Sequence, residues 1–316
     1  MNPIEWLTQT LAVVAALVAA PLFLGWINQC RAWLQNRTAP SILQPYRGLL
    51  KLFHKDAVLA ESVSPLFRAA PYVVFAAMVT AAAIIPSTST RLPFASAADA
   101  IALVGLFATA RVFLSLAAMD VGTAFGTLGA RREMMVGFLA EPALLMIIFV
   151  ASLISATTAL PVISERLAMH SLGLYPSLAF TSVAFTMVLL AENARIPVDN
   201  PSTHLELTMI HEAMMLEYSA RHLALMEWAA ALKLFNYACI GFALFIPWGT
   251  AMGRAGPGAV LLSVPLLAVK LLLAGAGLAL IETVSAKLRV FRAPEFLATA
   301  FLFAVLGLLV HLLLGA

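Results

Sequence analysis

The chain is a succession of long apolar runs separated by short polar stretches. A helix that crosses a bilayer needs about 20 mostly apolar residues. The runs near residues 5–30, 67–86, 98–118, 133–158, 175–191, 227–249, 258–283 and 295–315 meet that requirement. The pattern predicts an all-α integral membrane protein with about eight transmembrane helices. Residues 1–316 read as a single membrane domain, with neither an internal repeat nor a linker. Residues 41–55 predict a short amphipathic helix after the first span, with Leu49, Leu50, Leu52 and Phe53 against Arg47, Lys51 and Lys55.

Composition sharpens the picture. The chain is 62% hydrophobic and 11% charged, against about 25% charged residues in a soluble domain. Little mass lies outside the membrane. A net charge of +3 is too small to suggest nucleic acid; the positions of the positive residues say more. Arg31, Arg37, Arg47, Lys51, Lys55 and Arg68 fall in or beside the stretch 31–66, Arg131 and Arg132 in 119–132, Arg195 and Arg221 in 192–226, and Lys287, Arg289 and Arg292 in 284–294. The alternate loops hold only Arg91, Arg166 and Arg254. The positive-inside rule places the first set in the cytoplasm and both termini on the other side, as an even number of spans requires. The N-terminus, without a basic leader region, reads as the start of a retained span.

Several chemistries are disfavoured. Cys30 and Cys239 are far apart and form no Cys-x-x-Cys pair, so no iron–sulfur or zinc site is expected in this chain. His211-Glu212 resembles the start of a zinc-protease motif, but the required second histidine is Met215. Gly122, Gly126 and Gly129 follow a membrane span rather than a strand, and read as a flexible turn within 119–130.

The charges that do occur are in costly places. Arg111 lies about 13 residues into its span, roughly 18–20 Å deep, and Lys270 is similarly placed in another. Glu141 and Lys233 are shallower. A charge at the centre of a membrane helix costs about 2.5–3.5 kcal/mol on insertion scales, so these groups either pair to fix helix packing or line a polar path. The densest ionisable cluster is 192–219, holding Glu192, Arg195, Asp199, His204, Glu206, His211, Glu212 and Glu217. Pro197 and Pro201 break the backbone there. Thr203 and Glu206 suit a capping box for a following helix, and Glu217 and Arg221 have the spacing of a helical ion pair.

The string Glu192-x-x-Arg195-x-Pro197-x-Asp199-x-Pro201, followed by Glu206-Leu207, resembles the signature of the complex I subunit 1 family. The longer run through Leu216-Glu217-Tyr218-Ser219 is similar to one branch of it. That branch serves group 4 nickel–iron hydrogenases of the formate hydrogenlyase and hydrogenase-4 type. Gln44-Pro45-Tyr46-Arg47, Arg131-Arg132-Glu133-Met134 and Glu141-Pro142 are similar to the same branch. The resemblance covers most of the chain. Ser202 and His204 stand where the quinone enzymes carry carboxylates, and about three extra residues precede Glu217. Both departures move the reading from quinone reduction toward hydrogen chemistry.

The resemblance implies a non-catalytic, ion-coupling membrane anchor with no redox centre of its own, in the cytoplasmic membrane of a bacterium or archaeon. The nickel–iron centre and iron–sulfur clusters are then expected in partners: the hydrogenase large and small subunits and an iron–sulfur subunit. Antiporter-like membrane subunits would complete the complex. Arg47, Arg131, Arg132, Arg195, His204, His211 and Arg221 are the expected docking residues. Glu141, Glu192, Asp199, Glu206, Glu212, Glu217, Arg111, Lys233 and Lys270 are the expected coupling path. A quinone-binding subunit and a purely structural anchor are the alternatives.

Overall fold

The computed structural model describes residues 3–60, 63–91, 93–94, 99–169, 176–199, 210–253, 257–286, 288 and 292–314. Among these residues the chain is helical, with isolated bridges but no strand. The helices are α1 (Pro3–Leu34), α2 (Gln44–Phe53), α3 (Pro65–Ile84), α4 (Ala100–Asp120), α5 (Ala124–Ser155) and α6 (Leu160–Met169). They continue as α7 (Pro176–Glu192), α8 (His211–Met215), α9 (Ala220–Phe245), α10 (Pro257–Val284) and α11 (Ala293–Leu314). Among the described residues, seven helices are long and apolar enough to cross a bilayer: α1, α3, α4, α5, α9, α10 and α11. The shorter apolar α7, with 17 residues, is at the lower end of the range for a span. These eight helices match the eight apolar runs of the sequence.

The most buried span is α9. It packs against α3 and α1, and its buried Asn236 donates to Met78 O at 2.9 Å, tying α9 to α3. The amphipathic α2 buries Leu49 and packs on α1 and α9. Tyr46 donates to Val18 O on α1. Gly25 permits the close approach of the preceding segment, since a Cβ there would stand 2.9 Å from Ile42 C.

Three features differ from the sequence reading. Helix α5 begins at Ala124, not near 133. Thr123 caps it, accepting from Gly126 N at 3.3 Å. Gly126 and Gly129 are therefore helical, and serve close packing: a Cβ would stand 2.6 Å from Ala118 O at the first and 2.8 Å from Ile210 O at the second. Only Gly122, with φ +75, keeps the turn role. Arg131 and Arg132 consequently lie on a helix of 32 residues, about 48 Å long and longer than the hydrocarbon is thick.

The second difference is α6, a short helix between α5 and α7. Its Glu165 accepts from Thr90 Oγ1 at 2.5 Å and from Gly253 N at 3.0 Å. It ties two loops together at the end of the bundle remote from 192–199 and 210–219. The third concerns Glu217 and Arg221, which do not share a helix. Glu217 lies in the turn after α8, and Ser219 precedes α9.

Candidate functional site

Four helices deliver charges to one point in the bundle. Arg111, buried on α4, donates from Nη1 to Glu141 on α5 and from Nη2 to Glu192 at the end of α7. Its Nε stands 3.5 Å from Glu133 Oε1 on α5. Lys233 on α9 approaches Glu192 Oε2 at 2.9 Å. Three carboxylates thus meet two cations. Unpaired, each charge would carry the full cost of leaving water, and the shared contacts offset it. Glu192 is the centre, 1% exposed at its side chain, whereas Glu141 is 33% exposed. Beside the cluster the buried Tyr237 stacks on Phe107, centroids 4.9 Å apart.

A second cluster secures the segment that follows α7. Glu282 on α10 accepts from Arg195 Nη1 at 3.2 Å and lies 3.5 Å from Arg31 Nη1 on α1. Arg195 sits in a tight turn. Ala194 takes the left-handed φ of 49, and the amides of Val198 and Asp199 both donate to Arg195 O, at 2.9 and 3.1 Å. Leu288 N donates to Pro197 O at 2.9 Å, tying the turn to the α10–α11 connection. Burial pulls the Arg195 guanidinium below its ordinary pKa, and Glu282 opposes the pull. Asp199 is buried and accepts from His211 N at 3.3 Å.

Helix α8 is wedged against α5 and α4. Burial holds the pKa of His211 below the usual imidazole value, against the pull of Glu133 and Asp199 and with the help of Lys233. Tyr218 follows α8, stacked on Phe67 with centroids 4.0 Å apart and donating to Phe67 O at 3.0 Å. Burial pushes its phenol pKa up.

Both clusters border one open cavity of about 660 Å³. Arg31, Glu192, Arg195, Asp199, His211 and Lys233 line it, so residues of both clusters face one space. A separate space of about 40 Å³ lies between Lys233, His211, Glu133 and Arg111, sharing His211 and Lys233 with the first. The arrangement sets a space roomy enough for water against ionisable groups of both signs.

Of the residues expected from sequence, Arg111, Glu141, Glu192 and Lys233 meet directly. Asp199, Arg195, His211 and Glu212 line the adjoining cavity. Arg47, Arg131, Glu217 and Arg221 are exposed at the same end, and Arg132 is partly buried there. Glu206 and His204 lie outside the described residues, as does Thr203 of the expected capping box. Lys270 is not brought to the cluster. It donates to Ile246 O at 2.7 Å and lies 5.7 Å from the Phe242 ring centroid, capping the far end of α9.

Glu133, Glu282 and Arg31 are cluster members that sequence reasoning missed, and Glu227 is a cavity-lining residue it missed. Glu133 was hidden by the expected helix start near 133. Glu282 had a signal, a carboxylate at the end of an apolar run of the kind that should pair. Among the described residues, no group of three or more His, Cys, Asp or Glu side chains is placed to hold a metal ion.

A family model described as NADH dehydrogenase matches residues 7–313. Formate hydrogenlyase subunit 4 of Escherichia coli (strain K12) is 32% identical over 307 residues, covering 97% of this chain and 98% of the relative. Hydrogenase-4 component C of the same organism is 36% identical over 239 residues, 75% of this chain and 74% of the relative. A solved structure of the membrane-bound sulfane sulfur reductase, an archaeal respiratory membrane complex, contains a chain of the same fold. Its TM-score is 0.82 at 19% identity, covering 96% of this chain and 98% of that one.

Proposed function

This chain belongs to the NADH dehydrogenase family, in the branch of formate hydrogenlyase subunit 4 and hydrogenase-4 component C, and from that premise we propose that it couples a peripheral hydrogenase to the membrane. It is a multi-pass membrane subunit of a group 4 hydrogenase or complex I-like respiratory complex. Its charge-rich end, with Arg47, Arg131, Arg132, Arg221 and the segment 192–219, docks the hydrogenase large and small subunits and their iron–sulfur partner. That end faces the cytoplasm, and both termini lie on the other side. The nickel–iron centre and the clusters belong to the partners, and antiporter-like subunits continue the membrane arm.

The observation that carries this reading is the continuity of one ionisable system. One cavity of about 660 Å³ is lined by Arg31, Arg195 and Asp199 and also by Glu192 and Lys233, and Glu192 is bound to Arg111 and Lys233 inside the bundle. Reduction next door changes the charge at the cavity, and the carboxylates answer by changing protonation. Asp199→Asn or Glu206→Gln should leave the complex attached to the membrane while lowering its hydrogen evolution. Normal, fully attached activity in both variants would contradict the role.

The same cavity favours a second reading, a quinone chamber, because it is large enough for a ring head group. Quinone-dependent, inhibitor-sensitive turnover by the purified complex would support that reading and displace the first.

A further inference from the structure

Glu133, Gly137 and Glu141 are spaced four residues apart on α5 and form one stripe, each step rising about 6 Å. Two carboxylates therefore flank a bare stretch of backbone. Arg111 comes to this stripe from α4, and its guanidinium lies directly on Gly137. A Cβ at that position would stand 2.8 Å from Arg111 Cδ and 2.9 Å from Cζ, and closer still to Nη1. Real Cβ atoms do not come within 3.0 Å of another heavy atom, so something would have to shift. The arginine has little room to do so, being held from the far side by Glu192. Glycine weakens a helix interior relative to alanine, and Gly105 and Gly277, also within spans, have no atom near enough to explain them in the same way.

We propose that Gly137 is a positioning residue: it is the saddle that lets Arg111 lie flat on α5 and span Glu133 and Glu141 while also holding Glu192. Any side chain at 137 lifts the guanidinium away from α5. Glu133 and Glu141 then lose their shared cation. Glu133 is 9% exposed at its side chain, and a carboxylate stranded in such a place takes up a proton rather than remain charged. The geometry stands on these contacts alone. Its effect on turnover rests on the coupling role proposed above.

The test is a double-variant cycle in the purified membrane complex, with Gly137→Ala, Arg111→Ala and the two combined, and Gly105→Ala as the control. Two quantities are read: the apparent thermal midpoint, and the infrared absorption of protonated carboxyl groups. Gly137→Ala should lower the midpoint and bring a protonated-carboxyl band that Arg111→Ala also brings. The combined variant should be no worse than Arg111→Ala, because the clash is with the arginine itself. Gly105→Ala should change neither quantity.

If Gly137→Ala fails to assemble, the combined variant should restore assembly to the level of Arg111→Ala. An equal penalty from Gly137→Ala with and without the arginine would overturn the proposal, and so would an unchanged infrared spectrum. Proton movement per hydrogen equal to that of the wild type alongside the new band would contradict the coupling role and leave the positioning role standing.

Discussion

At the scale of single residues, the buried charges divide into those that hold and those that can respond. Lys270 is of the first kind: it bonds the carbonyl at the end of α9 and touches no carboxylate among the described residues. His211 is of the second, since its ring borders both the cavity and the smaller space beside Arg111. Its pKa is held down by burial, so the sign of its pH effect is fixed. Unfolded, it titrates near about 6.5. Below that pH the unfolded chain takes up a proton that the folded chain refuses, and stability falls as the pH drops toward the depressed folded value. At higher pH the imidazole is neutral in both states and the penalty is absent. His211→Gln should therefore lose less apparent thermal stability than the wild type between about pH 7.5 and 5.5. Equal losses in the two proteins would show that another group governs the acid limb.

At the scale of elements, the apolar runs of the sequence and the eight apolar helices correspond closely, because a bilayer leaves a hydrophobic run few alternatives to a helix. The ends correspond less well. Helix α5 starts at Ala124 because Thr123 supplies a cap, and Gly126 and Gly129 fit against Ala118 and Ile210. The Thr123 cap is a local signal, but the contact of Gly129 with Ile210 cannot be read from spacing along one helix. The pairing of Arg111 with three carboxylates was beyond reach for the same reason: its partners come from α5 and α7. The residues most legible in sequence, the Arg195 to Asp199 run, are those whose turn is built locally, by donors to Arg195 O.

Their anchor, Glu282 on α10, is distant in sequence. Removing it should therefore be felt in the turn. Glu282→Gln leaves Arg195 and Arg31 without their carboxylate, and breaking such a buried pair costs about 3–5 kcal/mol. Hydrogen exchange at the amides of Val198 and Asp199 should accelerate more than exchange in the body of α9. Unchanged protection of the turn would show that Leu288 and the backbone bonds hold it without the triad.

At the scale of the whole molecule, the two ends of the bundle are built differently. The end remote from 192–219 is laced by loop contacts through Glu165, Thr90 and Gly253. The end that carries 192–199 and 210–219 opens into a cavity bordered by charges of both signs. Between them, Glu141 is the one carboxylate of the first cluster that is a third exposed at the surface of the bundle. Phe138 and Leu145, one turn to either side of it on α5, are exposed apolar side chains, and a charge facing lipid there would be costly. Glu141 is therefore the point at which the ionisable system reaches the edge of this chain. The most direct measurement is proton movement per hydrogen evolved in sealed membrane vesicles carrying the assembled complex, wild type against Glu141→Gln. The coupling account predicts that the variant complex assembles and still evolves hydrogen, while the accompanying proton movement falls to a small fraction of the wild-type value. Proton movement per hydrogen equal to that of the wild type would contradict it.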